Sequence, residues 1–62
     1  MVDEYREILI KQYAGERLYN TATASYISLD DLAEMVLRSR RFVVQEARTG
    51  VDITHEVLDR LL

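Results

Sequence analysis

Cysteine, proline and tryptophan are absent from these 62 residues, and glycine occurs only twice. Without cysteine there can be no disulfide, and a structural zinc site lacks its commonest ligand. No apolar run approaches the ~20 residues of a membrane span. The acidic start, Met1-Val2-Asp3-Glu4-Tyr5-Arg6-Glu7, lacks the basic-then-apolar layout of a secretory signal. The cytoplasm is therefore the default expectation. Basic residues are also in the minority: eight Lys and Arg stand against eleven Asp and Glu, a net charge of −3. Nucleic-acid binders are commonly basic, so the overall balance speaks against that class. A chain this short buries only about 60% of its unfolded surface, so extra stability is expected from a second copy or a larger parent protein.

What is present is apolar and ordered. Nearly half the residues are hydrophobic, and few are glycine, a composition that argues against disorder. Charge is unevenly spread. Between Ile8 and Ser28 the only charged residues are Lys11, Glu16 and Arg17, and a second basic cluster, Arg38, Arg40 and Arg41, follows mid-chain.

Ile8 to Tyr13 has the β-branched and aromatic density of a strand. Ala14-Gly15-Glu16 then supplies a glycine for a tight turn, and Arg17-Leu18-Tyr19 returns as a second strand. Asn20 to Ala24 is small and polar, with Asn20 able to start a turn through its own side chain. Ser25-Tyr26-Ile27 makes a third strand. Ser28 stands as an N-cap with Asp31 three residues on, a short-armed capping box, and Leu29, Leu32, Ala33 and Val36 recur on one helical face. Arg38, Arg40 and Arg41 fall at or beyond the end of that helix, where cations are favoured. Phe42 to Ala47 reads as a strand, Arg48-Thr49-Gly50 as a turn, and Thr54 as a possible cap of a second helix with the apolar face Val57, Leu58, Leu61 and Leu62. That helix is still apolar at Leu62, so a following segment or a neighbour is expected to pack on its last turn. The fold expected is α+β: a small single domain with a short β-meander, then helix, strand and C-terminal helix (β-β-β-α-β-α). Residues 1–7 are expected as an N-terminal extension, flexible in character, and 8–62 as the domain.

From Ile10 onward the residues carry a composite pattern. Ile10-Lys11-Gln12-Tyr13-Ala14-Gly15-Glu16-Arg17-Leu18-Tyr19-Asn20-Thr21 is followed by Tyr26-Ile27-Ser28-Leu29-Asp30-Asp31-Leu32-Ala33, then Phe42-Val43-Val44, Ala47-Arg48-Thr49-Gly50 and Asp52-Ile53-Thr54. In order and spacing this resembles the N-terminal DNA-binding domain of the bacterial PHB (polyhydroxyalkanoate) accumulation regulators. The resemblance implies a repressor of polymer-granule genes that binds double-stranded DNA at their promoters, acts as a homodimer, and meets the polyhydroxyalkanoate polymer through a C-terminal region outside this chain. Three positions depart from the family pattern. Gly15-Glu16 stands where an Asn-Arg pair is usual, which loses a cation and adds an anion, and Gln12 stands where lysine is common.

With that resemblance, the expected DNA-binding residues are Lys11, Tyr13, Arg17, Tyr19, Asn20, Thr21, Arg40 and Arg41. A short β-ribbon would present Lys11 and Arg17 to phosphates or a groove, although solvated surface charge explains both equally well. Tyr13, Tyr19 and Tyr26 could donate hydroxyls to phosphates, yet at least two of them are expected as core rings with wet edges. Turn chemistry accounts for Asn20, Thr21 and Thr23 almost as well as base contacts do, and helix-end charge compensation accounts for the arginine cluster. His55, the only histidine, and the adjacent Asp30 and Asp31 suggest no catalytic or metal site. No cofactor and no enzymatic activity are expected. A second reading stays open: a protein-interaction or oligomerisation module of the same fold, motivated by Glu16, the acidic balance and the apolar last helix. Adsorption to polymer granules is a third, which would need a large exposed apolar surface.

Overall fold

The computed structural model describes residues 7–61. Residues 1–6 of the expected extension, and Leu62 of the expected apolar face, lie outside the described residues. The elements are β1 (Ile8–Tyr13), β2 (Arg17–Asn20), β3 (Ser25–Ile27), α1 (Leu29–Leu37), β4 (Phe42–Glu46) and α2 (Thr54–Leu61). Order and class are those expected, β-β-β-α-β-α in one α+β domain.

The sheet runs β3-β2-β1-β4. The first three strands form the antiparallel meander, with Tyr13 paired to Arg17, Lys11 to Tyr19 and Tyr19 to Tyr26. β4 then joins on the far side of β1 and runs parallel to it, from Ile8 opposite Phe42 to Gln12 opposite Glu46. A parallel neighbour requires a crossover, and α1 supplies it. The ladder extends at both ends, through Ile8 N–H to the Arg41 carbonyl (3.0 Å) and Ala47 N–H to that of Gln12 (2.9 Å).

Alternation along the strands sorts the side chains onto two faces. Ile8, Ile10, Leu18, Ile27, Phe42 and Val44 share one face, and both helices lie on it. Ile10, Leu18, Leu32 of α1, Val44 and Val57 of α2 are the buried core, with Ile8, Ile27, Met35, Phe42 and Ile53 packed around them. Tyr13, Tyr19 and Tyr26 occupy the other face, which no helix among the described residues covers. The expectation that at least two of them would be core rings is thereby corrected: Tyr13 and Tyr26 are 37% and 57% exposed and Tyr19 is half-buried. Within their strands Tyr13, Tyr19 and Tyr26 stand an odd number of residues from Ile10, Leu18 and Ile27, which puts them on the wrong side of the pleat to join the core.

Local chemistry sets the element ends. Ser28 Oγ accepts the Asp31 amide (3.1 Å) and Asp31 Oδ2 accepts that of Ser28 (3.0 Å), a complete capping box for α1. At its other end the Ser39 amide donates to Val36 and the Arg40 amide to Met35 (2.9 Å), with Ser39 left-handed at φ 58°. This is a Schellman closure with serine in the glycine position. Thr54 opens α2, but its hydroxyl serves the sheet. It accepts the Val44 amide (2.8 Å) and lies 2.6 Å from Asp52 Oδ1, while Asp52 Oδ1 takes the Thr54 amide (2.9 Å). The expected cap at Thr54 is thus replaced by one from Asp52. These bonds, with Glu46 N–H to the Val51 carbonyl and Ile53 N–H to that of Val44 (both 2.8 Å), cover the outer edge of β4. A covered edge is closed to further strand pairing.

Candidate functional site

The uncovered face of the sheet is a built surface. By strand register it carries Leu9, Lys11 and Tyr13 of β1, Arg17 and Tyr19 of β2, Tyr26 of β3, and Val43 and Gln45 of β4. One register row crosses all four strands as Gln45, Lys11, Tyr19 and Tyr26. Beside it, Tyr13 and Arg17 face each other at the β1–β2 turn.

The three rings pack on one another edge to face. Their centroids lie 5.0 Å apart for Tyr19 and Tyr26, 6.3 Å for Tyr13 and Tyr19, and 6.4 Å for Tyr13 and Tyr26. Such pairs favour one mutual arrangement, so the rings come pre-positioned. Arg17 is held over them. Its guanidinium lies 5.5 Å from the Tyr26 ring centre, within cation–π reach, and its Nε donates to the Ala14 carbonyl at 3.3 Å.

Electrostatics separate the two faces. Lys11 and Arg17 are the charged residues of the open face, and none of its eight residues is acidic. The carboxylates Asp30, Asp31, Glu34, Glu46, Glu56 and Asp59 sit on the helices or on the helix-covered side. A chain with net charge −3 thus presents one positive, hydroxyl-rich surface. Chemically, ammonium, guanidinium, phenol and amide groups in a row can donate hydrogen bonds to phosphate oxygens or base edges.

Of the expected residues, the fold brings together Lys11, Tyr13, Arg17 and Tyr19. Asn20 falls on the helix face and is buried, 6% exposed; its Oδ1 accepts the Ala22 (2.8 Å) and Thr23 (3.3 Å) amides and so shapes the β2–β3 turn. The Thr21 hydroxyl donates to the Leu9 carbonyl at 2.7 Å. Arg40 and Arg41 lie in the α1–β4 connection, beside the start of β1, whereas Arg17 lies beside its end. They line a groove of about 370 Å³ with Val36, Phe42, Thr54 and Leu58. Arg38 pairs with Glu34 at 3.2 Å. Gln45 belongs to the open face but was not among the expected residues, because its place depends on β4 pairing with β1, which no local pattern announces. Tyr26 had carried a hydroxyl role only in alternation with a core one.

The hairpin tip itself is sharply turned. Gly15 (φ 76°) and Glu16 (φ 59°) are both left-handed, a conformation that glycine adopts without steric cost and other residues rarely do.

A family model described as PHB/PHA accumulation regulator DNA-binding domain matches residues 9–62. Among curated proteins, the chain is similar to an uncharacterized protein of Allochromatium vinosum, 34% identical over 56 residues, covering 90% of this chain and 37% of that protein. It is also similar to an uncharacterized protein in the phbA 5′ region of Thiocystis violacea, 33% identical over 54 residues, covering 87% of this chain and 39% of that one. The chain therefore spans less than two fifths of the length of these relatives. No solved structure matches it.

Proposed function

Since the chain belongs to the PHB/PHA accumulation regulator DNA-binding domain family, we propose that its open sheet face is the surface that meets double-stranded DNA. The observation that carries this reading is the collection of Lys11, Arg17, three tyrosines and Gln45 on one acid-free face, in a protein otherwise acidic. β1 and β2 are the central pair of the four-stranded sheet, so they meet the duplex as part of a sheet face laid against it, not as a free ribbon inserted into a groove. In that pose Lys11 and Arg17 neutralise phosphates, the tyrosine hydroxyls hold register on the backbone, and Gln45 is placed to reach a base edge.

For the finer role we take up what the resemblance implies. We read the domain as part of a repressor of polymer-granule genes, working in the cytoplasm and as a homodimer; the name of the Thiocystis relative, from a phbA 5′ region, supports only the link to polymer genes. Contact with the polymer itself would fall to a further region, since the relatives are longer than this chain. A family described by its DNA binding also favours a regulator over an enzyme.

The test is binding to a labelled promoter fragment from a polymer-granule gene, titrated with salt. Affinity that survives non-specific competitor and falls steeply with salt supports the reading, because each neutralised phosphate adds about 0.9 to the slope of log affinity against log salt. A folded domain that binds no DNA at low salt would shift the assignment to the protein-interaction module, and Glu16 would be the first suspect.

A further inference from the structure

The β1–β2 turn places an anion, Glu16, immediately before Arg17, where the proposed site needs only cations. Glu16 is not left free. Its Oε2 lies 2.8 Å from Nη2 of Arg60, in the last turn of α2. These residues are 44 positions apart in sequence and belong to different layers, since α2 packs on the covered side of the sheet. The other ion pair among the described residues, Arg38 with Glu34, is a local one within α1 and its cap. The Arg60 and Glu16 side chains are 41% and 62% exposed, and exposed pairs contribute little to stability. The consequence of this pair is therefore electrostatic and positional.

We infer that Arg60 is a positioning residue of the DNA site: it draws the Glu16 carboxylate toward α2 and cancels its charge, so that Arg17 and Lys11 meet phosphate without a free anion beside them. The inference rests on the DNA reading of the open face. It also accounts for the departure of Gly15-Glu16 from the Asn-Arg of the family pattern. The acid introduced at the tip is neutralised from the opposite layer, and the tip stays close to neutral. Unpaired, Glu16 would leave an unneutralised anion one residue from Arg17, and its repulsion of phosphate is screened only over about 8 Å at physiological salt.

A double-mutant cycle tests this, using Arg60→Gln, Glu16→Gln and the two combined, with DNA affinity read by fluorescence anisotropy across a salt series. Arg60→Gln is expected to weaken binding several-fold, most at low salt, where the freed Glu16 carboxylate is least screened. In the Glu16→Gln background the same substitution should have almost no effect, and Glu16→Gln alone should bind at least as tightly as the parent. Melting curves check that each variant folds, and Arg60→Lys, which keeps the charge, should keep the affinity. Equal losses from Arg60→Gln in both backgrounds would mean that Arg60 contacts DNA itself or supports the fold, and would overturn this inference alone. A parent domain that binds no DNA would overturn the open-face reading and this inference with it.

Discussion

Arg17 shows how much one position can hold. It is paired to Tyr13 across the hairpin, bonded through Nε to Ala14 and laid over the Tyr26 ring, so its charge is fixed before any ligand arrives. Replacing Lys11 or Arg17 with Gln should each flatten the salt dependence of DNA binding by about one unit, while the same change at Arg40 or Arg41 should leave the slope unaltered. A loss of slope at Arg40 and none at Arg17 would move the interface to the helix side. Asn20 should behave differently from both. Its carboxamide is buried and holds two turn amides, so Asn20→Ala should lower stability by about 1–3 kcal/mol, the cost of leaving buried partners unsatisfied. The sequence made its turn chemistry visible; what it could not show is that β2 runs on to Asn20 and points it inward.

At the scale of elements, caps and closures carry the local stability. The Ser28–Asp31 box was legible because its donors and acceptors are neighbours in the chain, and Ser28→Ala should cost about 1 kcal/mol in a denaturant titration. Ser39 holds the left-handed closing position of α1 at φ 58°, so Ser39→Gly should raise stability by up to about 1 kcal/mol by removing the strain of that conformation. The start of α2 was less legible. Thr54 looks like a cap in sequence, but its hydroxyl is engaged by Val44, a partner ten residues upstream. Asp52 takes over instead, and hydrogen bonds from the Thr54 hydroxyl and then its amide, with a smaller contribution from His55, hold its carboxyl below the ordinary aspartate range. The unfolded chain therefore binds this proton more readily than the folded one. The Asp52 contribution is present above the ordinary aspartate pKa and is lost as pH falls through the lower folded value. Urea midpoints followed into acid should show that decline, and Asp52→Asn should remove that part of it.

At the scale of the molecule, the deciding feature is that both helices pack on one face of a four-stranded sheet and no element among the described residues covers the other. Strand identity and class were readable from β-branched runs and helical periodicity. The two faces were not, because they depend on β4 docking beside β1, a contact between segments more than thirty residues apart. That docking turns Tyr13, Tyr19 and Tyr26 from apparent core rings into an exposed platform and sets Lys11 and Arg17 on a face apart from the helix carboxylates. The core that holds this arrangement is small, with five buried hydrophobic residues among those described. Leu32→Ala should therefore cost about 2–5 kcal/mol, much of the stability of a domain this size.

The most direct test of the open-face assignment is amide chemical-shift mapping of the domain titrated with a duplex from a polymer-granule promoter. Perturbations concentrated at Leu9, Lys11, Tyr13, Arg17, Tyr19, Tyr26 and Gln45, with the outer surfaces of α1 and α2 unmoved, are the predicted result. Perturbations centred instead on Val36 to Arg41 and Leu58, with the tyrosine face silent, would contradict it.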